Sequence, residues 1–145
     1  MSIITSIYTK FKSDILSKAT NVGSGGDTIN CILMNASGTF TESHQTYGSI
    51  SANELGTANG YTAAGTAMTM GALSVSGTTV KVIGPATTQW VSTGAGFTAY
   101  NAAVYSTTNS NHLICHLNFG TAYTASGGGT FTITWDATNG VFNLA

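Results

Sequence analysis

Apolar residues recur at every second position in several short stretches of the chain, and this spacing predicts β-strands. The residues concerned form three sets: Ile29, Cys31 and Leu33; Leu113, Cys115, Leu117 and Phe119; and Phe131, Ile133 and Trp135. In the two later sets most of the positions in between are polar, so we expect strands with one buried face and one face in water.

Residues 73–82 are predicted to form a hairpin, because apolar residues alternate on both sides of the turn Ser76-Gly77-Thr78-Thr79. Pro85, the only proline, marks its end. Two more strands are expected at residues 89–92 and 97–106, each bounded by residues that favour turns.

A terminal hairpin is predicted around residues 136–140, Asp-Ala-Thr-Asn-Gly, which would turn the strand ending at Trp135 back into residues 141–144. The three glycines at positions 127–129 precede a strand and no lysine follows them. We therefore interpret them as a flexible hairpin connection, not as a phosphate-binding loop.

Residues 1–22 allow two interpretations. The order Lys10-Phe11-Lys12 suits a strand, whereas Phe11, Ile15 and Leu16 also fit a helical face, and we favour the strand. The glycine-rich stretch at 23–26 predicts a flexible turn. The segment would then be either an N-terminal arm or the first strands of the domain.

One short helical segment is predicted at residues 49–55, where Ser51 and Glu54 have the spacing of a capping box and Gly56 follows as a stop. About eight strands without long helical crossovers favour an antiparallel arrangement. The fold class predicted is all-β: a single antiparallel β-sandwich domain over residues 1–145.

Charge is scarce, with 6% of residues charged, 42% apolar and a formal net charge of -1. Such weak repulsion favours association, so we expect a homo-oligomer, with a trimer favoured. Arginine is absent and three of the four lysines are Lys10, Lys12 and Lys18. We therefore expect no nucleic acid among the partners.

Membrane insertion and secretion are not expected from the sequence. No apolar run reaches the length of a membrane span, and the N-terminal lysines follow the apolar residues, the reverse of a secretory signal. We therefore expect synthesis in the cytoplasm and no membrane partner.

His112, Cys115 and His116 form the one cluster that resembles a metal site. On a strand the two histidines would lie about 13 Å apart, with Cys115 on the opposite face, too far apart to share an ion. We predict no metal and no cofactor here, although an oligomer axis could still bring copies of one histidine together.

Cys31 and Cys115 share the face assigned to the core, so a disulfide is conceivable. Two buried thiols are the favoured interpretation for a protein made in the cytoplasm.

The acidic residues are scattered, and turn or capping roles explain them: Asp14, Asp27, Glu42, Glu54 and Asp136. Glu42 and His44 could form an acid–base pair, although an ordinary exposed loop is the favoured interpretation. We predict no catalytic residue and no enzymatic activity.

Aromatic residues offer two roles. Trp135 is in phase with Phe131 and is expected in the core, while Trp90 suits either the core or an interface. Tyr47, Tyr61, Tyr100 and Trp90 could instead form a sugar-binding platform.

Several stretches, in this order, resemble a family of small virion proteins of tailed bacteriophages, often capsid decoration proteins. They are Lys10-Phe11-Lys12, residues 27–33, residues 51–54 leading to Gly60-Tyr61-Thr62, residues 129–136 and residues 140–142. Members often have a second glycine after Gly-Tyr-Thr, where this chain has Ala63-Ala64-Gly65. The resemblance implies a β-sandwich bound to a particle.

We therefore expect a decoration, or cement, protein on the outer surface of the virion capsid, made in the host cytoplasm and bound to the major capsid protein. The partner contacts predicted are Ile3, Ile4, Ile7, Lys10, Lys12 and Lys18. If these residues form an arm, deletion of residues 1–9 should weaken particle binding and leave the domain folded. The alternative is a tail or fibre module that binds a host-surface glycan or receptor.

Overall fold

The computed structural model describes residues 4–144, and side chains from residue 5 onward. This part of the chain contains ten strands, one α-helix and two short 3-10 turns. The strands are β1 (Ile4–Ile7), β2 (Ile29–Met34), β3 (Thr66–Met68), β4 (Leu73–Ser76), β5 (Thr79–Val82), β6 (Thr87–Val91), β7 (Phe97–Ser106), β8 (His112–Ala125), β9 (Thr130–Thr134) and β10 (Phe142–Leu144). Helix α1 is Thr9–Leu16, and the 3-10 turns are Tyr47–Ser49 and Ser51–Asn53.

The strands form three antiparallel sheets. The main sheet has the order β1-β8-β7-β2-β3, a second has the order β10-β5-β4, and β6 pairs with β9 in a third. The predicted all-β, sandwich-like class is confirmed, with more strands than expected.

The main core lies on one face of the five-stranded sheet. Ile29, Cys31 and Leu33 of β2 project into it together, and Phe131 and Ile133 of β9 belong to the same cluster. The predicted faces of β2 and β9 are therefore confirmed. Trp135, just after β9, is also in this core and its indole N–H donates to Thr88 at 2.8 Å.

A second core lies on the opposite face of the same sheet. Ile32 and Met34 of β2 pack there with Leu113 of β8, and Ile50 and Phe40 from the segment between β2 and β3 contact them. The main sheet is thus covered on both sides. The prediction that one face of the strand through residues 113–119 lies in water is therefore wrong at the start of this strand, where the second core covers that face.

A bulge in β8 explains a second difference. The register with β7 shifts between Val104 and Tyr105, so that Ile114 and Cys115 both lie in the main core while Leu113 lies in the second core. A β-bulge inserts one residue and so reverses the alternation of faces beyond it. The prediction that Leu113 shares the face of Cys115 is therefore wrong.

Helix α1 replaces the strand predicted at Lys10-Phe11-Lys12. Phe11 and Ile15, one helical turn apart, both pack against the main core, and Phe11 meets the ring of Phe142 edge-on at 5.2 Å. The spacing of four positions between Phe11 and Ile15 fits a helix, and burial of one helical face stabilises a short helix.

Residues 4–20 belong to the body of the domain. Strand β1 pairs with β8, Tyr8 is fully buried and Thr20 is nearly so. The glycine-rich stretch that follows is a tight turn, in which Gly26 N–H donates to the Gly23 carbonyl and Asp27 N–H to the Asn21 carbonyl. The turn predicted at residues 23–26 is therefore present, whereas the interpretation of the preceding segment as a projecting arm is wrong for residues 4–20.

The hairpin predicted at residues 73–82 is confirmed as β4 and β5, joined by Gly77 and Thr78. Its apolar residues are not all inside, however. Every residue of β4 is exposed, so neither core covers this edge strand.

The prediction of a terminal hairpin is wrong, although the predicted turn is present. Residues 136–140 close with a hydrogen bond from Gly140 N–H to the Asp136 carbonyl, but β9 pairs with β6 and β10 pairs with β5. A Cβ on Gly140 would lie 2.4 Å from the Val82 carbonyl oxygen, so the glycine permits the close approach that sends the chain to another sheet. Residues 127–129 likewise link β8 to β9 in different sheets, so they are not a hairpin connection.

The helical segment predicted at residues 49–55 corresponds to the two 3-10 turns. Its capping box is absent, because neither turn has a side-chain cap and Glu54 is already extended. No helix within residues 4–144 has the length and apolar character needed to cross a membrane.

Candidate functional site

A buried carboxylate joins helix α1 to the main sheet. Asp14 Oδ1 accepts from Lys10 Nζ at 2.7 Å, and Asp14 Oδ2 lies 2.9 Å from His112 Nδ1 at the start of β8. Asn109 Nδ2 lies 3.4 Å from the same Oδ2 and donates to Thr20 Oγ1 at 2.7 Å. The Asp14 side chain is 2% exposed, so its charge is held by these partners and not by water.

The Asp14–His112 pair has the geometry by which a carboxylate orients a general base. A nucleophile would have to lie against the other ring nitrogen. Within the described part of the chain, no hydroxyl or thiol hydrogen-bonds to His112. The arrangement is that of a structural ion-pair cluster.

A second polar cluster centres on Glu54. Its two carboxylate oxygens accept from the hydroxyls of Tyr47 and Tyr61, the latter at 2.6 Å, and Tyr61 in turn accepts from Leu33 N–H at 3.0 Å. Burial, followed by the contact with Glu54, raises the pKa of Tyr47 to about 12. The tyrosines therefore stay protonated donors at neutral pH, and Glu54 ties its segment to β2.

The predicted aromatic platform is largely inside the molecule. Tyr61 and Trp90 are buried in the main core, and Tyr47 stacks on Tyr105 with ring centroids 5.0 Å apart. Tyr100 is 39% exposed. The four aromatics do not form one exposed surface, which corrects that prediction.

Glu42 and His44 do not form an acid–base pair. Glu42 accepts from Thr9 Oγ1 at 2.8 Å and lies 3.6 Å from Lys12 Nζ. The Thr9 hydrogen bond, followed by the Lys12 charge, lowers the pKa of Glu42. Its partners belong to helix α1.

His112, Cys115 and His116 are separated by the structure. His112 contacts Asp14, Cys115 is in the main core, and His116 Nε2 lies 2.7 Å from the Gly38 carbonyl oxygen. In residues 4–144, no three His, Cys, Asp or Glu side chains are grouped as metal ligands.

Both cysteines are buried and free, as favoured from the sequence. Cys31 and Cys115 each lie opposite Val104 of the intervening strand β7. Two strand spacings separate them, about 10 Å, which exceeds the reach of a disulfide.

The residues predicted to contact a partner have different surroundings in the structure. Ile3 lies outside the described residues, and Ile4 is described only by its backbone in β1. Ile7 is partly buried against the main core, whereas Lys10 and Lys12 form ion pairs with Asp14 and Glu42. Lys18 is exposed.

The exposed features that the sequence did not reveal are apolar. Large apolar or aromatic side chains are exposed at Leu16, Leu73, Val75, Val91 and Tyr100. Alternation predicts an inward face for Leu73 and Val75, but that face of β4 is not covered by either core. The absence of charge from residues 69–80 was the available signal.

The open clefts on the surface of residues 4–144 include two of similar size. One, of about 430 Å³, runs between β1 and the residues around β10, with Trp135 and Asp136 in its wall. The other, of about 350 Å³, is bounded by Tyr100, Asn101 and Asn118. Asp136, the one acid in either wall, is hydrogen-bonded by Thr138 and Asn139 of its own turn.

No family model, curated protein or solved structure matches this chain. Its function is therefore argued from its own residues.

Proposed function

We propose that the chain is a non-enzymatic bacteriophage virion protein that decorates the outer capsid surface and binds the major capsid protein. One observation supports a binding role over catalysis. All five acidic side chains accept hydrogen bonds from groups within the domain: Asp14, Asp27, Glu42, Glu54 and Asp136. Each carboxylate already has a structural partner.

The exposed apolar side chains complement that observation. Leu16 at the end of α1 is 87% exposed, and Val75 of β4 is 71% exposed. On a surface with so little charge, such side chains favour association. A protein that binds only the assembled shell stabilises it by mass action, and many copies add avidity.

The direct test uses shells of the parent phage that lack this protein. Purified protein should bind them saturably in hundreds of copies and raise the temperature at which they dissociate. Cosedimentation and a thermal melt of the shells measure both effects. A few copies per particle, or no binding, would contradict the proposal.

The contact near the end of α1 can be tested in the same assay. Lys18→Glu should weaken shell binding several-fold if exposed Lys18 faces acidic capsid surface, since the charge is reversed at the contact. Lys81→Glu on β5 is the matched control and should bind as the unmodified protein does. Equal binding by both variants would show that this end of α1 does not contact the capsid.

A second candidate function, glycan binding by a tail or fibre module, has Tyr100 in its favour. This exposed ring borders the cleft of about 350 Å³ together with Asn101 and Asn118. Aromatic faces beside polar residues suit sugars. Host-surface glycans should then bind the isolated protein, and Tyr100→Ala should abolish binding whereas Leu16→Ala should not.

A further inference from the structure

Strand β4 is an open, uncharged sheet edge. It is the outer strand of the sheet β10-β5-β4, and Leu73 and Val75 on it are 52% and 71% exposed. Proteins usually protect such edges with charged residues, proline or a bulge. Residues 69–80 contain no charged residue and no proline, so this edge lacks those protections.

The hairpin register determines which backbone groups face outward. Ser76 lies opposite Thr79 across a two-residue loop, and Ser74 lies opposite Lys81. In such a hairpin the residues next to the loop exchange hydrogen bonds, and the bonded pairs then alternate. The N–H and C=O groups of Leu73 and Val75 therefore point away from β5.

These outward groups are complementary to themselves. If a second copy of β4 lies antiparallel and centred on Ser74, Leu73 of one copy faces Val75 of the other in two hydrogen-bonded pairs. Apolar side chains then meet apolar side chains on one face, which stabilises cross-strand pairs. Ser74 meets Ser74 of the second copy on the other face.

Charge does not oppose this approach. The nearest charged residue on the sheet is Lys81 of β5. Three strand spacings would separate its two copies, about 14 Å, more than the Debye length of about 10 Å at 0.1 M salt.

We propose that β4 is a self-association edge, through which two copies of this chain pair antiparallel about Ser74 to form a continuous six-stranded sheet. A two-fold pairing of this kind closes with two copies. The short strand makes the contact small, so the dimer is expected to be weak in dilute solution. The pairing does not depend on capsid binding and is tested without particles.

Engineered cysteines test the register. In the proposed pairing the two Ser74 residues form a non-hydrogen-bonded pair with Cα atoms about 4.5 Å apart, within disulfide range. Ser74→Cys should therefore give a disulfide-linked dimer when oxidised glutathione supplies the oxidant. Native Cys31 and Cys115 are fully buried and should not compete.

Ser76→Cys is the matched control on the same exposed strand. Its two copies would be displaced by four residues, about 14 Å, and should not cross-link. Equal cross-linking of both variants, or of neither, would overturn the proposed register.

Sedimentation velocity from about 5 to about 500 µM tests association of the unmodified chain by mass action. We expect a concentration-dependent shift from one copy to two, which Val75→Lys should remove and Val91→Lys should leave intact. Val91 is a comparable control because it is also a strand valine, 63% exposed, on β6. Thermal melts verify that both variants fold.

A monomer throughout the range, or equal effects of both variants, would overturn the proposal. Dimerisation without shell binding would leave this proposal intact and refute the capsid role.

Discussion

Asp14 illustrates how a single buried carboxylate can connect distant parts of a chain. It contacts Lys10 one turn away in its own helix and His112 at the start of β8, 98 positions along the sequence. An acid and a histidine give no sequence signal that they will meet, because long-range pairing decides it. From the sequence, a turn or capping role explains Asp14, and His112 belongs to a cluster for which no metal is predicted.

Removing the charge of Asp14 should destabilise the domain. Asp14→Asn leaves Lys10 and His112 without their buried anion, and we expect the free energy of unfolding to fall by about 3 kcal/mol. Urea denaturation measures the change. Lys12→Gln is the control, because its pair with Glu42 is exposed and should contribute little. A loss as large in the control would contradict the role given to Asp14.

Ala64 holds a backbone conformation that suits glycine. Its φ is 71°, and Gly65 beside it has a φ of 73°. A non-glycine residue pays a steric penalty there, so Ala64→Gly should stabilise the protein by about 0.5–1 kcal/mol. Ala63→Gly, at a residue without positive φ, should destabilise it because glycine has greater freedom when unfolded. Thermal melts of the two variants should shift in opposite directions.

His116 should make stability depend on pH. Burial lowers the pKa of His116 below its usual 6.5, against the opposing effect of the Gly38 carbonyl. The unfolded chain therefore takes up a proton first as the pH falls below 6.5, and stability is lost from there down to the lower folded pKa. His116→Gln should show a smaller difference between urea midpoints at about pH 8 and about pH 5. An unchanged difference would exclude His116 as the cause.

At the scale of elements, periodicity predicts where most strands lie along the chain but not which strands pair with each other. The faces of β2 and β9 follow from alternation alone, since the side-chain period of a strand is two. Pairing of β9 with β6 depends on contacts such as Trp90 against Phe131, 41 positions apart, which no local pattern encodes. The bulge in β8 and the switch between sheets at Gly140 are likewise set by packing. The prediction of a strand in place of helix α1 is wrong because it rests on the alternation of Lys10-Phe11-Lys12, whereas the spacing of Phe11 and Ile15 fits the helix.

Loss of β1 should unfold the domain. Deletion of residues 1–9 removes β1 and the fully buried Tyr8, and it exposes the edge of β8. We expect no cooperative thermal transition, and Tyr8→Ala alone should cost about 3–5 kcal/mol. A truncated protein that melts like the full chain would support the arm interpretation instead.

At the scale of the whole molecule, strand periodicity predicted the fold class, whereas composition gave an expectation of association without indicating a surface for it. The five carboxylates accept hydrogen bonds from groups within the domain. Which apolar residues remain outside depends on how the sheets are arranged. Leu73 and Val75 have the same alternation as buried strand residues, so only the structure separates an edge from a core. The polar clusters around Asp14 and Glu54 could not be predicted either, because only the folded structure brings their residues together.

The placement of Cys31 and Cys115 gives the molecule an internal reporter of opening. Both side chains are fully buried in the central strands, and burial raises the pKa of both thiols. Because only an exposed thiolate alkylates readily, iodoacetamide should modify Cys31 only when β2 opens from the sheet and Cys115 only when β8 does. If the two thiols acquire label at the same rate, detected by mass spectrometry of peptides, the sheet opens as one cooperative unit. Different rates would identify which strand leaves first.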